Sequence, residues 1–179
     1  MQQLADLAER LGFPSTVHAI DCPEQASAVF DSVLPVLPLP KELDRAAAVV
    51  ASIKIATSLV RDGLAAALVT NPIHKESLYD AGFRHHGHTE FLAELAGLDQ
   101  MPVMMLACQG LRVVPVTIHL PLADAIDALD TDAIVHCGRV AAAALVEDFA
   151  IQRPVIAVAA LNPHAGEGGR FGNEEARII

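Results

Sequence analysis

The amino-acid sequence predicts a protein of the α/β class. Apolar runs of strand length alternate with stretches of helical periodicity, which is the order of elements typical of this class. Of the 179 residues, 53% are hydrophobic and only 4% are aromatic, which favours thin helices packed on buried strands. This composition excludes intrinsic disorder, and the length suits one ordinary domain of roughly 100–200 residues.

The charge balance narrows the class of partners. The net charge is −10, and the 12 basic residues form no cluster, so we expect neither nucleic acid nor an anionic membrane as a partner. No apolar stretch approaches the ~20 residues of a membrane span, and acids and Arg10 stand where a signal peptide would be apolar. The cysteines, Cys22, Cys108 and Cys137, lack CxxC spacing, which favours buried, reduced thiols in a cytoplasmic protein.

The elements of the first half follow from periodicity and from the positions of Gly and Pro. Helices are predicted over 2–11, 43–62 (buried on a broad face) and 73–81, each followed by a glycine. A short strand is predicted over 16–20, and three prolines in 33–40 leave only an extended edge or linker there. The apolar run 65–70 predicts a buried parallel strand. It leads into Asn71-Pro72, where ligands usually bind in such folds.

The second half continues the same alternation. Helices are predicted over 90–96 and 132–149, with Pro121 in the first turn of another. Strands are predicted over 103–107, 112–118 and 154–161, the last of them buried. The ending NEEARII (173–179) predicts the first turns of a helix with Asn173 as its cap. Because it stops on two isoleucines, we expect further residues downstream.

Three of the eight histidines are candidates for chemistry. His88, His119 and His164 each lie where a strand or loop meets a helix start or a Pro turn. The ends of different strands converge in an α/β sheet, so His119 and His164 are candidates to meet, and imidazoles suit Zn²⁺, Co²⁺ or Ni²⁺. Loop histidines that only cap helices are the commoner case, and no HExxH pattern is present. The spacing therefore leaves both interpretations open.

Two further features invite a phosphate-binding interpretation. The loop AGEGGRFG (165–172) joins a strand to a helix, but the dinucleotide fingerprint G-x-G-x-x-G fails at Phe171 and no P-loop is present. A flexible connection and a ligand lid remain alternatives for this loop. Lys75, close to Asn71 at a helix N-terminus, is a candidate phosphate contact, against the alternative of a solvated lysine.

Taken together, five motifs resemble those of one family. They are, in chain order, TNPIHK (70–75), GHTEFLAEL (87–95), VMMLA (103–107), TIHLPL (117–122) and LNPHAGEGG (161–169). The pair GHTE and LNPHAGEGG is highly specific. From about residue 43 to its end, and more loosely before that, the sequence resembles the 4-hydroxythreonine-4-phosphate dehydrogenase family of vitamin B6 biosynthesis.

The resemblance implies two three-layer α/β/α domains of the isocitrate/isopropylmalate dehydrogenase type. It also implies a homodimer whose active site lies at the domain cleft and subunit interface. Such enzymes use NAD or NADP and a divalent metal (Zn, Mg or Co) to oxidise 4-phosphohydroxy-L-threonine to 2-amino-3-oxo-4-phosphooxybutanoate, which decarboxylates to 3-amino-2-oxopropyl phosphate. Residues 1–81 match part of the first domain, and 82–179 match part of the second.

Site residues carry over motif by motif. His119 and His164 match two of three metal-ligand histidines, and His88 and Thr89 match the substrate-binding pair. Lys75 and Asn71 are candidates for phosphate or cleft contacts. The family's N-terminal GxPAGIGPE loop, its downstream YHDQG motif with the third metal histidine, and most of its cofactor contacts are absent. The sequence thus resembles an internal fragment of the enzyme.

Three alternatives remain open at this point. A paralogue acting on a 4-phosphothreonate-type sugar acid or an aromatic cis-dihydrodiol would share the metal site. A truncated, non-catalytic protein could dimerise with a full-length partner, although exposed strand edges argue against a stable module. A metallohydrolase built on His88, His119 and His164 lacks an accompanying base motif.

The incomplete metal triad and the missing nicotinamide site predict that these 179 residues alone do not turn over substrate. The purified chain, supplied with 4-phosphohydroxy-L-threonine, NAD or NADP and a divalent metal, should form no NAD(P)H. Substrate-dependent NAD(P)H formation would contradict this expectation.

Overall fold

Helices and short strands are interspersed along the described residues. This mixture of elements confirms the predicted α/β class. The computed structural model describes residues 1–13, 16–80, 82–85 and 87–179. Ala81, where a helix and the first domain were predicted to end, and His86 lie outside the described residues. The chain divides into two compact units, Met1–Met101 and Pro102–Ile179, so the units are described separately.

The sheet of the first unit has two parallel strands. β1 (Thr16–Ala19) pairs with β2 (Val33–Val36), and the Ile20 N–H extends the ladder to the Val36 carbonyl at 3.0 Å. Pro35 has no N–H to donate, which restricts its strand to the edge of a sheet. Of the two predictions for 33–40, an extended edge or a linker, the edge strand is confirmed over Val33–Val36. A 3-10 helix (Pro23–Gln25) and α2 (Ala26–Val29), neither of them predicted, form the connection.

Apart from α2, the helices of the first unit occur where periodicity predicted them. They are α1 (Gln2–Arg10), α3 (Arg45–Arg61), α4 (Lys75–Asp80) and α5 (His88–Ala96). The Asp44 carboxylate caps α3 by accepting the Ala47 N–H at 2.8 Å. Helix α5 begins two residues earlier than predicted because Gly87 is its N-cap, and it ends at Gly97 with φ +69°. Helices α3 and α5 contact each other.

The strand predicted over 65–70 is absent from the structure. The segment has no ladder partner among the described residues, and Val69 is 93% exposed. An apolar run becomes a strand only when a neighbouring strand supplies its hydrogen-bond partners. The prediction of a buried parallel strand is wrong for this reason, and the broad burial predicted for α3 is reduced to Ile53, with most of its other apolar residues half-buried.

The sheet of the second unit is an antiparallel hairpin. β3 (Leu106–Cys108) and β4 (Leu111–Val113) are joined by Gln109 and Gly110, and Gly110 has the positive φ of +83° that such two-residue turns use. The predicted strands over 103–107 and 112–118 are thus shorter and start elsewhere. The strand predicted over 154–161 is absent, and Val155 is 95% exposed. That prediction is wrong for the same lack of a pairing strand.

Three helices complete the second unit. They are α6 (Leu122–Asp127), α7 (Thr131–Glu147) and α8 (Glu174–Ile178). Asp130 caps α7 by accepting the Ala133 N–H at 2.7 Å, and Thr131 ties the end of α8 to α7 through a 2.7 Å hydrogen bond to the Ile178 carbonyl. Pro121 is the N-cap of α6 rather than its first residue. Asn173 is the N-cap residue of α8, as predicted, but its side chain makes no capping hydrogen bond.

The core of the second unit follows one face of α7. Cys137, Ala141 and Leu145, four residues apart, are buried and border a cavity of about 800 Å³ lined mostly by apolar side chains. The unpaired segment 154–161 forms another wall of this cavity. The space is open because an unpaired segment does not close over it as a sheet would.

All three cysteines are free thiols, as predicted, but their burial differs from the prediction. Cys137 is buried, Cys22 is half-buried and Cys108 is exposed at the hairpin. Burial raises the pKa of the Cys137 thiol. No helix of the described residues is long and apolar enough to cross a membrane.

We expect Asp130→Ala to lower the free energy of unfolding by about 1 kcal/mol, because it leaves the Ala133 N–H without its cap. Asp132→Ala is the matched control, since Asp132 is an exposed acid in the same first turn. It should lose only the dipole interaction, about half as much or less. Urea unfolding measures both variants, and equal losses would contradict the capping account.

Candidate functional site

An open cavity of about 1090 Å³ lies in the first unit. Its walls are the start of α3, the unpaired segment 68–73, helix α4 and the first residue of α5. The polar and charged side chains around it are Asp44, Arg45, Ser52, Thr70, Asn71, His74, Ser77, Asp80 and His88. This mixture of donors and acceptors is typical of a site for a small polar ligand.

His88 is the residue of this cavity with an unmet hydrogen bond. It is half-buried, and its Nε2 atom is fully buried with no hydrogen-bond partner among the described residues. Leaving a buried polar atom unpaired costs about 1–3 kcal/mol. A ligand group that pairs with Nε2 would remove this cost, so the structure supports His88 as a binding residue.

The approach to His88 is held by an aromatic cluster that the sequence did not reveal. The His85 ring lies 5.1 Å from the Phe83 ring and 4.9 Å from the Phe91 ring, and the two phenylalanines meet edge-on at 5.0 Å. The His85 Nε2 also lies 3.4 Å from the Glu94 carboxylate. The segment that precedes α5 is therefore fixed to the buried face of that helix.

Asn71 and His74 share the cavity with His88. The His74 Nδ1 atom lies 2.8 Å from the Ser77 hydroxyl and accepts the Ser77 N–H at 3.4 Å. With Nδ1 as acceptor, the proton of the neutral ring lies on Nε2, which makes His74 a second imidazole donor. The His74–Ser77 contact, which leaves the His74 Nε2 to donate to a ligand, was not predicted from the sequence.

The other candidates of the first unit lie differently. Lys75 is exposed and Thr89 is half-buried, and neither lines the cavity. The cation at the cavity wall is instead Arg45, which sequence analysis missed. The sequence signal for Arg45 is its position directly after Asp44, the N-cap, which makes it the first residue of α3.

The metal-ligand candidates lie in the second unit, His119 after the segment 112–118 and His164 after 154–161. Both are exposed, and His119 has the left-handed backbone conformation, with φ +59°. The His164 ring packs on Phe171, with 5.3 Å between centroids. In the part of the chain that the structure describes, no imidazole nitrogen of either histidine has a hydrogen bond, and no three His, Cys, Asp or Glu residues form a metal-holding group.

The imidazole nitrogens of these two histidines are of a donor type that binds transition-metal ions. Neutral imidazole suits Zn²⁺ or Co²⁺ better than Mg²⁺, which prefers oxygen ligands. Two imidazoles supply half of a tetrahedral set. In donor chemistry His119 and His164 would therefore suit Zn²⁺ or Co²⁺, and among the described residues no third ligand completes a group with them.

Residues Ala165–Gly169 of the glycine-rich loop after His164 form tight turns, and their backbone is not that of a regular 3-10 helix. All five residues have positive φ, including Ala165 at +48° and Glu167 at +44°. The Glu167 N–H donates to the His164 carbonyl at 2.9 Å, and the Phe171 N–H donates to the Gly166 carbonyl at 3.1 Å. Non-glycine residues in this region carry strain of order 1–3 kcal/mol, which clusters at functional sites.

The chain is similar to known proteins along most of its length. The family model described as "Pyridoxal phosphate biosynthetic protein PdxA" matches residues 2–179. The chain belongs to this family. The match includes residues 2–42, where the resemblance of the sequence is looser.

Relatives of this PdxA-family chain agree with the assignment. It is 48% identical to a 4-hydroxythreonine-4-phosphate dehydrogenase of Bradyrhizobium diazoefficiens, over 97% of this chain and 53% of that protein. It is 46% identical to the protein of the same name in Caulobacter vibrioides, over 98% of this chain and 57% of the other. The chain thus spans about half the length of the curated relatives it matches.

Solved structures show the same relation. The chain superposes with a TM-score of 0.82 and 33% identity on a 4-hydroxythreonine-4-phosphate dehydrogenase from Burkholderia phymatum, over 99% of this chain and 56% of that one. The corresponding protein from Klebsiella pneumoniae gives a TM-score of 0.79 and 35% identity, over 92% of this chain and 52% of the other.

Gly166→Ala is expected to destabilise the loop by about 2–3 kcal/mol, because the new Cβ carries the cost of positive φ and meets neighbours as well. It would lie 3.0 Å from the Gly172 carbonyl oxygen and 3.2 Å from the Glu175 carboxylate. Gly168→Ala is the control, since its Cβ meets nothing within 4 Å and only φ opposes it. Urea unfolding followed by near-UV circular dichroism compares the two, and a Gly168 variant at least as unstable as the Gly166 variant would contradict this packing.

Proposed function

We propose that this chain supplies substrate- and metal-binding residues of an NAD- or NADP-dependent 4-hydroxythreonine-4-phosphate dehydrogenase. The observation that carries the proposal is the 48% identity to a protein of that name, over a region that contains all five motifs. The substrate is 4-phosphohydroxy-L-threonine, whose secondary hydroxyl is oxidised. The resulting 2-amino-3-oxo-4-phosphooxybutanoate loses CO₂ to give 3-amino-2-oxopropyl phosphate.

The cavity of the first unit supplies the substrate contacts in this proposal. The buried, unpaired His88 Nε2 pairs with a polar group of the substrate. Asn71, His74 and the Arg45 guanidinium, which share the cavity, suit a phosphorylated amino acid because they offer neutral and cationic donors. Thr89 and Lys75 remain candidates beside this set, with Thr89 next to His88 and Lys75 next to His74 in the chain.

His119 and His164 would hold the divalent metal of such an enzyme. When bound, the metal lowers the pKa of a coordinated hydroxyl and stabilises the negative charge that develops on decarboxylation, while the nicotinamide accepts a hydride. The chain would contribute the two imidazole rings as ligands. The backbone of His119 has positive φ, and the His164 ring packs on Phe171.

The larger architecture belongs to the same proposal. It comprises three-layer α/β/α domains of the isocitrate/isopropylmalate dehydrogenase type and a homodimer whose site lies at the subunit interface, and it rests on the similarity to the solved dehydrogenases. A domain boundary near residue 81 stays a prediction, because the compact units of the structure divide after Met101 instead. The free thiols support a cytoplasmic location.

Binding of 4-phosphohydroxy-L-threonine to the chain, measured by isothermal titration calorimetry, tests the substrate assignment. His88→Ala should weaken binding about tenfold or more, because a hydrogen bond to a charged ligand contributes about 1.5–3 kcal/mol. His18→Ala is the control, since His18 is exposed on β1 and does not line the cavity. It should leave the affinity unchanged.

The same titration separates the proposal from its nearest alternatives. The dehydrogenase assignment predicts tighter binding of 4-phosphohydroxy-L-threonine than of 4-phosphothreonate or an aromatic cis-dihydrodiol. A preference for either of the latter would favour a paralogous dehydrogenase. Equal weakening by the His88 and His18 variants would contradict the role of the cavity.

A further inference from the structure

The Glu175 side chain of helix α8 makes a hydrogen bond to the segment that carries His164. Its carboxylate Oε1 accepts a hydrogen bond of 3.2 Å from the Asn162 Nδ2. Its Oε2 lies 3.2 Å from the position that a Cβ at Gly166 would occupy. Both oxygens are thus directed at the loop, and Glu175 is half-buried there.

Asn162 passes this contact on to His164. Its Oδ1 accepts the His164 N–H at 2.8 Å, and its backbone carbonyl accepts the Ala165 N–H at 3.1 Å. An asparagine amide has distinct donor and acceptor ends. Because Nδ2 is engaged by Glu175, Oδ1 is oriented toward the His164 N–H, and the two hydrogen bonds depend on each other.

The far end of α8 is also anchored. The Thr131 hydroxyl donates to the Ile178 carbonyl at 2.7 Å, and Thr131 is the first residue of α7, directly after its Asp130 cap. Helix α8 is therefore held at both ends, by the longest helix of the second unit and by the His164 loop. A short helix of five residues has little stability of its own, so these two contacts fix its position.

We propose that Glu175 is a positioning residue for His164, acting through Asn162. The inference rests on the proposed function, in which His164 is a metal ligand. Ligand histidines are usually oriented by hydrogen bonds around them, and loss of such a contact typically weakens metal binding 10–100-fold. Here the contact orients the backbone of the ligand rather than its ring, which leaves both ring nitrogens available.

The exposed position of His164 makes such positioning necessary. An exposed imidazole on a glycine-rich loop would sample many orientations, and ordering it at binding would cost affinity. The Glu175–Asn162 hydrogen bond orders the turn in advance. It also accounts for glycine at 166, since a side chain there would meet the Glu175 carboxylate.

The test compares Glu175→Ala with Glu175→Gln in the 179-residue chain. The first removes the acceptor for Asn162, whereas the second keeps an amide oxygen in its place. Glu174→Ala is the control, because Glu174 is an exposed acid on the same turn and makes no hydrogen bond among the described residues. Two quantities are measured: amide hydrogen exchange of His164 and Ala165 without metal, and the Kd for Zn²⁺ by chelator competition.

We expect Glu175→Ala to raise both the exchange rates and the Zn²⁺ Kd about tenfold. Glu175→Gln and Glu174→Ala should stay within about twofold of the unsubstituted chain in both readouts. A lower melting temperature of Glu175→Ala with unchanged exchange and Kd would mean a merely structural role and would overturn the inference.

His164→Ala separates this inference from the proposed function. If His164→Ala weakens Zn²⁺ binding and Glu175→Ala does not, the positioning role fails while the metal assignment stands. If His164→Ala itself leaves the Zn²⁺ Kd unchanged, the metal assignment is overturned, and the positioning role is overturned with it.

Discussion

The described strands form only where a second strand supplies their backbone hydrogen-bond partners, β1 with β2 and β3 with β4. The apolar segments 65–70 and 154–161 have no such partner, and each carries a valine that is more than nine-tenths exposed. The lack of pairing strands at these two segments determines where the cavities of the structure lie. Both cavities lie against these segments. Asn71 and His74 follow directly after the first segment, and His164 follows directly after the second.

Local contacts hold the candidate residues in place where no sheet does. Asn71 and His74 are followed by α4, whose first turn the His74 ring caps through Ser77. Asn162 and His164 are held by the Glu175 carboxylate of α8. At the first site the His74 ring accepts a backbone N–H, and at the second the Asn162 amide does so. A side chain that accepts a nearby backbone N–H thus orders the chain beside both the proposed substrate contacts and the proposed metal ligands.

Helices were predictable from the sequence to within about two residues in most cases, because periodicity, N-cap aspartates and glycines are local signals. The absence of strands over 65–70 and 154–161 was not predictable, because strand pairing depends on residues far away in the chain. The family was predictable from its motifs, and so were His88, His119 and His164 as candidates. Arg45 and Glu175 were missed because their roles depend on contacts across the fold rather than on a motif.

The central claim is that His119 and His164 bind one divalent ion. Titration of the chain with Zn²⁺, followed through the imidazole signals in two-dimensional ¹H–¹⁵N NMR spectra, tests it directly. The account predicts that both rings shift together with a single Kd while His18, on β1, stays unchanged. Separate dissociation constants for His119 and His164, or a shift of only one of them, would contradict it.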